Sequence, residues 1–142
     1  MTADDLPAVA PLLSQLGYDL EKDEVERRFR TVADAPGHAA WVAVADGGVV
    51  GFLHLFGCPA LEKPPEAVVQ AMAVEKGLRG RGIGRALMAR AEQWAVGQGF
   101  RSVALSSQAG RSDAHAFYAR LGFETAATSL LLRKDIEEPG KG

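Results

Sequence analysis

Between Arg79 and Arg85 the chain reads RGRGIGR, three cations interleaved with three glycines. Residues without a Cβ let an anion approach the backbone N–H groups, and the guanidiniums add positive charge. The flanking residues give this turn a direction. Residues 68–74 (VVQAMAV) form an apolar run of strand length, and Ile83, Leu87, Ala91, Trp94 and Ala95 recur at the spacing of one buried helix face, with the helix starting at Gly84. A strand passing into a helix through such a turn leaves unpaired N–H groups at the positive end of the helix dipole, which is an anion site. Two familiar phosphate turns do not fit. A P-loop needs Lys followed by Ser or Thr where Arg85-Ala86 stands, and a dinucleotide fingerprint needs glycine in place of Arg85.

A second stretch able to do chemistry is 113–121 (DAHAFYARL), a short helix closed by Gly122 and followed by Phe123. The Tyr118 phenol, protonated at neutral pH with a reference pKa near 10, can give a proton to a departing group. The residues alone equally allow a tyrosine that only packs beside Phe117.

Together these stretches carry a family resemblance. Arg79-Gly80-Arg81-Gly82-Ile83-Gly84 resembles the [RQ]-x-x-G-x-[GA] acyl-CoA loop of the Gcn5-related N-acetyltransferases, after a strand ending Met72-Ala73-Val74 as in that family. Ala114, Phe117, Tyr118, Gly122 and Phe123 resemble its A-x-x-x-Y-x-x-x-G-F segment. The likeness runs from about Leu6 to Ile136 and is most specific between Val68 and Phe123. It implies acetyl-CoA as acyl donor, with the diphosphate on the Arg79–Arg85 amides and the pantetheine along the edge of the 68–74 strand. Backbone N–H groups near Met72 and Val74 would bind it or polarise the thioester carbonyl. Tyr118 would lie beside the sulfur as general acid, with Ala114 and Phe117 next to the cofactor. No metal is implied, and Cys58, in a proline loop with no activating base, is a poor acyl carrier, so direct attack in a ternary complex is expected.

The base is open. An alkylammonium with a pKa near 10.4 must lose a proton before it attacks. Several family members place glutamate where Gln70 stands, and an amide cannot serve. Glu66, Glu62 and His54 are near in sequence, and a water relay is a further route. His54, alternating with Phe52 and Phe56, reads as a half-buried sheet residue more readily than as a base. His115 lies three before Tyr118 and reads equally as surface. Arg111 stands where many members have an asparagine that contacts pantetheine; it suits a cofactor phosphate or a solvated loop equally. In the family the segment between the first two helices lines the acceptor pocket, which makes Tyr18 and Asp19 substrate-contact candidates beside the alternative of a solvated turn.

Bulk properties agree with a small anionic ligand. A net charge of −2 confines the basic cluster to one turn and implies no general nucleic-acid affinity. A single cysteine excludes an intrachain disulfide and a cysteine metal cluster. With no long apolar run and no basic leader, a cytoplasmic protein without a membrane segment is the expectation.

The elements that must position these residues follow in order. Helices are expected over 2–17 and 23–32, and a hairpin over 38–45 and 49–56 about Asp46-Gly47-Gly48. A proline-stiffened loop over 58–65 leads to the 68–74 strand and the following helix. A strand over 101–107, the 113–121 helix, and two strands over 124–128 and 129–136 complete the chain. This is a mixed α/β sheet with helices on both faces, in one domain over 1–142 with a polar tail from about 137. The family normally begins with a strand before the first helix, whereas this sequence starts almost at the helix cap: either the strand is dispensable or the start has been trimmed, leaving an edge open to a second copy, and a homodimer is one expectation. Two rivals accompany the acetyltransferase reading. One is a catalytically silent acyl-CoA-binding module, motivated by Gln70 and the missing strand; the other is a generic nucleotide-phosphate binder.

Overall fold

Two positions in the sheet have no partner across the ladder, and they set its shape. The computed structural model describes residues 1–107 and 112–136, in two units, Met1–Ser106 and Ser107–Gly142. In the first unit, β1 (His38–Ala45) and β2 (Gly48–Cys58) form the expected hairpin, and β3 (Glu66–Val74) runs antiparallel to β2. Strand β4 (Val103–Leu105) is parallel to β3, which gives a mixed sheet of order β1-β2-β3-β4. The ladder pairs Ala43 with Gly51 and Val44 with Val49, leaving Val50 over. It pairs His54 with Ala71 and Leu55 with Val69, leaving Gln70 over. Each extra residue is a β-bulge, which bends its strand and strengthens the local twist.

The two faces of the sheet are covered by different helices. On one, Val9 and Leu12 of α1 (Leu6–Gln15) pack in one cluster with Phe52 and Ala73, with Leu13, Leu16, Val42 and Ala71 at its rim. A second helix, α2 (Lys22–Asp34), follows and buries Val25. The other face takes α3 (Ile83–Gly97), whose Leu87, Met88, Ala91 and Ala95 are buried at helical spacing. Trp94 meets Trp41 of β1 edge-on and stacks with Phe100, while Arg90 lies over the Trp41 ring at 5.1 Å, so the C-terminal half of α3 is tied to the sheet.

At the N-terminal end the tie depends on one missing side chain. A Cβ on Gly51 would lie 3.1 Å from the Ala73 carbonyl oxygen, 3.3 Å from Leu87 Cδ1 and 3.4 Å from Ile83 Cγ2. Gly51 therefore sets how closely the first turn of α3 approaches the end of β3.

The second unit contains α4 (Ser112–Arg120), which ends as the sequence predicts. Gly122 has φ +94°, the Phe123 N–H reaches the Tyr118 carbonyl at 3.0 Å and the Gly122 N–H reaches Ala119 at 3.0 Å. This is a Schellman cap, in which the residue after the glycine packs back on the helix.

The expected strands over 124–128 and 129–136 do not form. Those residues have no ladder partner among the described residues, and Leu130, Leu131, Leu132 and Ile136 are exposed. Apolar content gives strand character, but a strand exists only with a neighbour to bond. The 2–17 helix is also shorter than expected, a 3-10 turn over Ala3–Asp5 leading into α1. Among the described residues no helix is long and apolar enough to cross a membrane.

The Gly51 contact can be tested directly. Gly51→Val is expected to lower stability by about 1–3 kcal/mol, as overpacking does, in a denaturant melt; a melt matching wild type would show that α3 does not depend on this approach.

Candidate active site

Strand β3 is bonded differently on its two edges. Along β2 it pairs from Glu66 to Val74, but along β4 only Ala67, Val68 and Val69 have partners. From the Gln70 bulge onward its second edge is open among the described residues. The direction of the backbone groups there follows from one bond. The Glu75 N–H donates to the Val50 carbonyl of β2 at 2.7 Å, and since successive N–H groups of a strand alternate in direction, Ala73 also faces β2. Met72 and Val74 then present their N–H groups to the open edge. These are the two residues singled out from sequence for the pantetheine and the thioester carbonyl.

The open edge runs into the glycine turn. After Val74 a short 3-10 turn (Lys76–Leu78) is closed by the Leu78 N–H on the Glu75 carbonyl at 2.9 Å, and Arg79 is extended. Gly80 and Gly82 have φ of +84° and +83°, which L side chains rarely adopt. A Cβ on either would meet no protein atom within 4 Å, so the backbone angles, not crowding by the protein, require glycine there. Gly82 is the cap of α3, which starts at Ile83, one residue earlier than the sequence suggests, and no side chain caps it. The first-turn N–H groups of Ile83, Gly84 and Arg85 are therefore available to an anion at the positive end of the helix. Arg79, Arg81 and Arg85 are exposed, and none enters an ion pair among the described residues. The Ile83 side chain meanwhile packs inward near Gly51. Amides, arginines and open edge fit a diphosphate joined to an extended amide chain.

The acceptor candidates come to the same end of the sheet. Gln15 at the end of α1 reaches Glu75 with Nε2 at 3.4 Å from Oε1, which places the α1–α2 connection near the start of the turn. Ser14 Oγ, in the last turn of α1, donates to Asp19 Oδ1 of that connection at 2.5 Å, and Tyr18 is 57% exposed.

The base candidates differ in their surroundings. Glu66 opens β3 at the end away from the turn, accepts from Ser102 Oγ at 3.0 Å and pairs with Lys63 at 3.2 Å. Lys63, then Ser102, hold its carboxyl below the usual range, so it is already engaged. Glu62 is exposed in the preceding loop. His54 is half-buried, with Nε2 2.9 Å from His38 Nδ1 and the two rings stacked. Burial holds its imidazole below the ordinary value, and His38 acts in the same sense. Sequence reasoning missed His38; the hairpin register carries the signal, because the Val50 bulge brings His38 opposite Phe56 and diagonal to His54.

In the second unit Tyr118 sits between Phe117 and Phe123, with ring centroids at 5.3 and 5.7 Å, both edge-on. Ala114 and Phe117 are half-buried on the same helix, His115 is exposed, and Arg111 lies outside the described residues. Cys58 ends β2 as a free, half-buried thiol.

Comparison with known proteins agrees with this geometry. The model of the acetyltransferase (GNAT) family matches residues 6–123, and the chain belongs to that family. It is 31% identical over 138 residues to aminoglycoside N(6')-acetyltransferase type 1 of Stenotrophomonas maltophilia, covering 92% of this chain and 90% of that protein. It is 35% identical over 94 residues to human N-acetylaspartate synthetase, but spans only 30% of that protein's length. Among solved structures, a putative acetyltransferase from Agrobacterium tumefaciens superposes with a TM-score of 0.84 at 27% identity, covering 94% of this chain and 96% of that one. The aminoglycoside N-acetyltransferase AAC(6')-Iy in complex with CoA superposes with a TM-score of 0.85 at 22% identity, over 96% of this chain and 92% of that one, a likeness of fold.

The His54 environment makes stability depend on pH. With a folded pKa below the ordinary value of about 6.5, the unfolded state binds the proton more readily. The contribution is complete above that value and is lost as pH falls through the folded pKa. The melting temperature of wild type should fall below pH 6.5 more steeply than that of His54→Gln; parallel curves would show no such linkage.

Proposed function

We propose that this chain transfers the acetyl group of acetyl-CoA to a primary amine of a small polycationic molecule of the aminoglycoside type. The observation that carries the reading is the open edge of β3 leading into the uncapped N-terminus of α3 through Gly80 and Gly82, in a chain of the GNAT family. The acceptor class rests on the relative with aminoglycoside N(6')-acetyltransferase activity in its name, matched over nearly its whole length. Exposed Tyr18 and the Asp19 carboxylate suit a cationic acceptor.

In this reading the Ile83–Arg85 amides and Arg79, Arg81 and Arg85 hold the diphosphate, and the Met72 and Val74 edge pairs with the pantetheine chain. A backbone N–H on that edge stabilises the oxyanion that forms when the amine attacks the thioester carbon. Tyr118 gives the proton that the departing thiolate takes up. No covalent acyl-enzyme is involved.

Calorimetric titration with acetyl-CoA, with ATP as a control, tests the donor site. Gly82→Asp adds a charge and a disfavoured φ at the cap, and is expected to weaken acetyl-CoA binding at least ~10-fold, about 1.4 kcal/mol, with ATP binding far weaker than acetyl-CoA in wild type. Equal affinity for the two would favour a generic phosphate binder. Thiol release is then followed with an aminoglycoside panel, where Tyr118→Phe is expected to lower kcat by roughly 10²-fold or more at unchanged KM for acetyl-CoA. Binding without thiol release on any amine would leave only a silent acyl-CoA-binding module.

A further inference from the structure

The donor turn and the acceptor segment meet at a residue whose polar groups go to three different elements. The Glu75 N–H donates to the Val50 carbonyl of β2 at 2.7 Å, its carbonyl accepts from the Leu78 N–H at 2.9 Å, and its Oε1 accepts from Gln15 Nε2 of α1 at 3.4 Å. The backbone of Glu75 therefore fixes the head of the glycine turn to the sheet, and its side chain ties the same point to the end of α1. Glu75 is half-buried and enters no ion pair among the described residues. A negative charge at the head of an anion-binding turn opposes the anion, so donor binding does not account for it.

From Gln15 onward the acceptor segment is held by its own bonds. The Tyr18 N–H reaches back to the Leu13 carbonyl at 3.0 Å and the Gly17 N–H to the Ser14 carbonyl at 2.9 Å, with Gly17 at φ +95°, which is a Schellman ending. Asp19 is held to the same turn by Ser14 Oγ at 2.5 Å. Residues 16–19 thus move with the last turn of α1. That turn is weakly joined to the first half of its helix, because Pro11 has no N–H for the Pro7 carbonyl. Leu13 and Leu16 rest at the rim of the core, and apolar contact carries no direction. The Gln15–Glu75 bond supplies one.

We propose that Glu75 is a positioning residue that sets the acceptor segment, with Tyr18 and Asp19, against the donor turn through Gln15. The inference rests on the acetyltransferase reading above. The two halves of Glu75 serve different substrates. Its backbone bonds to Val50 and Leu78 do not involve the side chain, so the donor turn keeps its shape when the carboxylate or its partner is replaced. The acceptor segment then loses its directional tie to that turn. Binding of the amine weakens, and binding of acetyl-CoA does not.

The test uses the full chain with acetyl-CoA and the aminoglycoside of highest turnover. Gln15→Ala is expected to raise KM for the aminoglycoside about 3- to 10-fold, as loss of one hydrogen bond does, while kcat and the calorimetric Kd for acetyl-CoA stay within about 2-fold of wild type. Glu75→Gln, whose carboxamide oxygen accepts the same bond, should keep the wild-type KM. Gln15→Glu sets two carboxylates against each other and should lose at least as much as Gln15→Ala. Adding Glu75→Gln to it restores a bond of reversed direction and should recover the wild-type value, which a general loss of structure would not do. An unchanged aminoglycoside KM in Gln15→Ala, an equal loss of acetyl-CoA affinity, or no recovery in the exchanged pair would overturn the assignment alone. Absence of turnover by the wild-type protein itself would overturn the transferase reading and this inference together.

Discussion

The asymmetry of β3 is the constraint from which the rest of the site follows. A strand in mid-sheet normally bonds on both edges; among the described residues this one does so for Ala67, Val68 and Val69 and then gives up its β4 neighbour. A buried backbone that loses its partner must find another, since an unsatisfied N–H costs about 1–3 kcal/mol. Water can take that place, and so can an extended chain rich in amides. The bulge at Gln70 falls where the two edges begin to differ, which is the place where added twist would turn β3 away from β4.

The end of the open edge is fixed from the opposite side of the sheet. Gly51 lies on β2 beneath the first turn of α3, and Ile83 enters the space a side chain there would take. The apolar face of α3, anchored through Leu87, Met88, Ala91 and Ala95, therefore holds its N-terminus at the end of β3. The aromatic contacts through Trp41 and Trp94 hold the other end. Rigid placement matters because the amides of a helix N-terminus stabilise an anion within the first turn only. The electrostatics of the turn thus depend on core packing some residues away.

Local chemistry was legible in the sequence and partnership was not. The hairpin about Asp46-Gly47-Gly48, the glycine turn and the apolar stripe of α3 are each written in a few consecutive residues, and the structure keeps them nearly where they are read. The family follows from the same stretches and is the one the chain belongs to. What was not legible depends on register. One extra residue at Val50 decides that His38 meets His54, and one at Gln70 decides where the ladder slips; neither has a signature in its own residue type. The 124–136 stretch shows the same limit, since its leucines resemble a strand but nothing in the chain states which edge would pair with it.

The Tyr118–Phe123 segment shows how a motif can be structural and chemical at once. The glycine at 122 has a positive φ, its cap returns the Phe123 N–H to the Tyr118 carbonyl, and the two rings meet at 5.7 Å. The spacing Tyr-x-x-x-Gly-Phe is therefore what a Schellman cap with its apolar contact requires, whatever the phenol does. A helix ending of this kind also restricts the tyrosine ring, because Phe117 and Phe123 both approach it edge-on. Restriction of a side chain before substrate arrives reduces the entropy lost at the transition state, so the same contacts that end the helix would favour proton transfer. The spacing therefore identifies the helix ending by itself. A catalytic role for the phenol rests on its hydroxyl, which Tyr118→Phe removes.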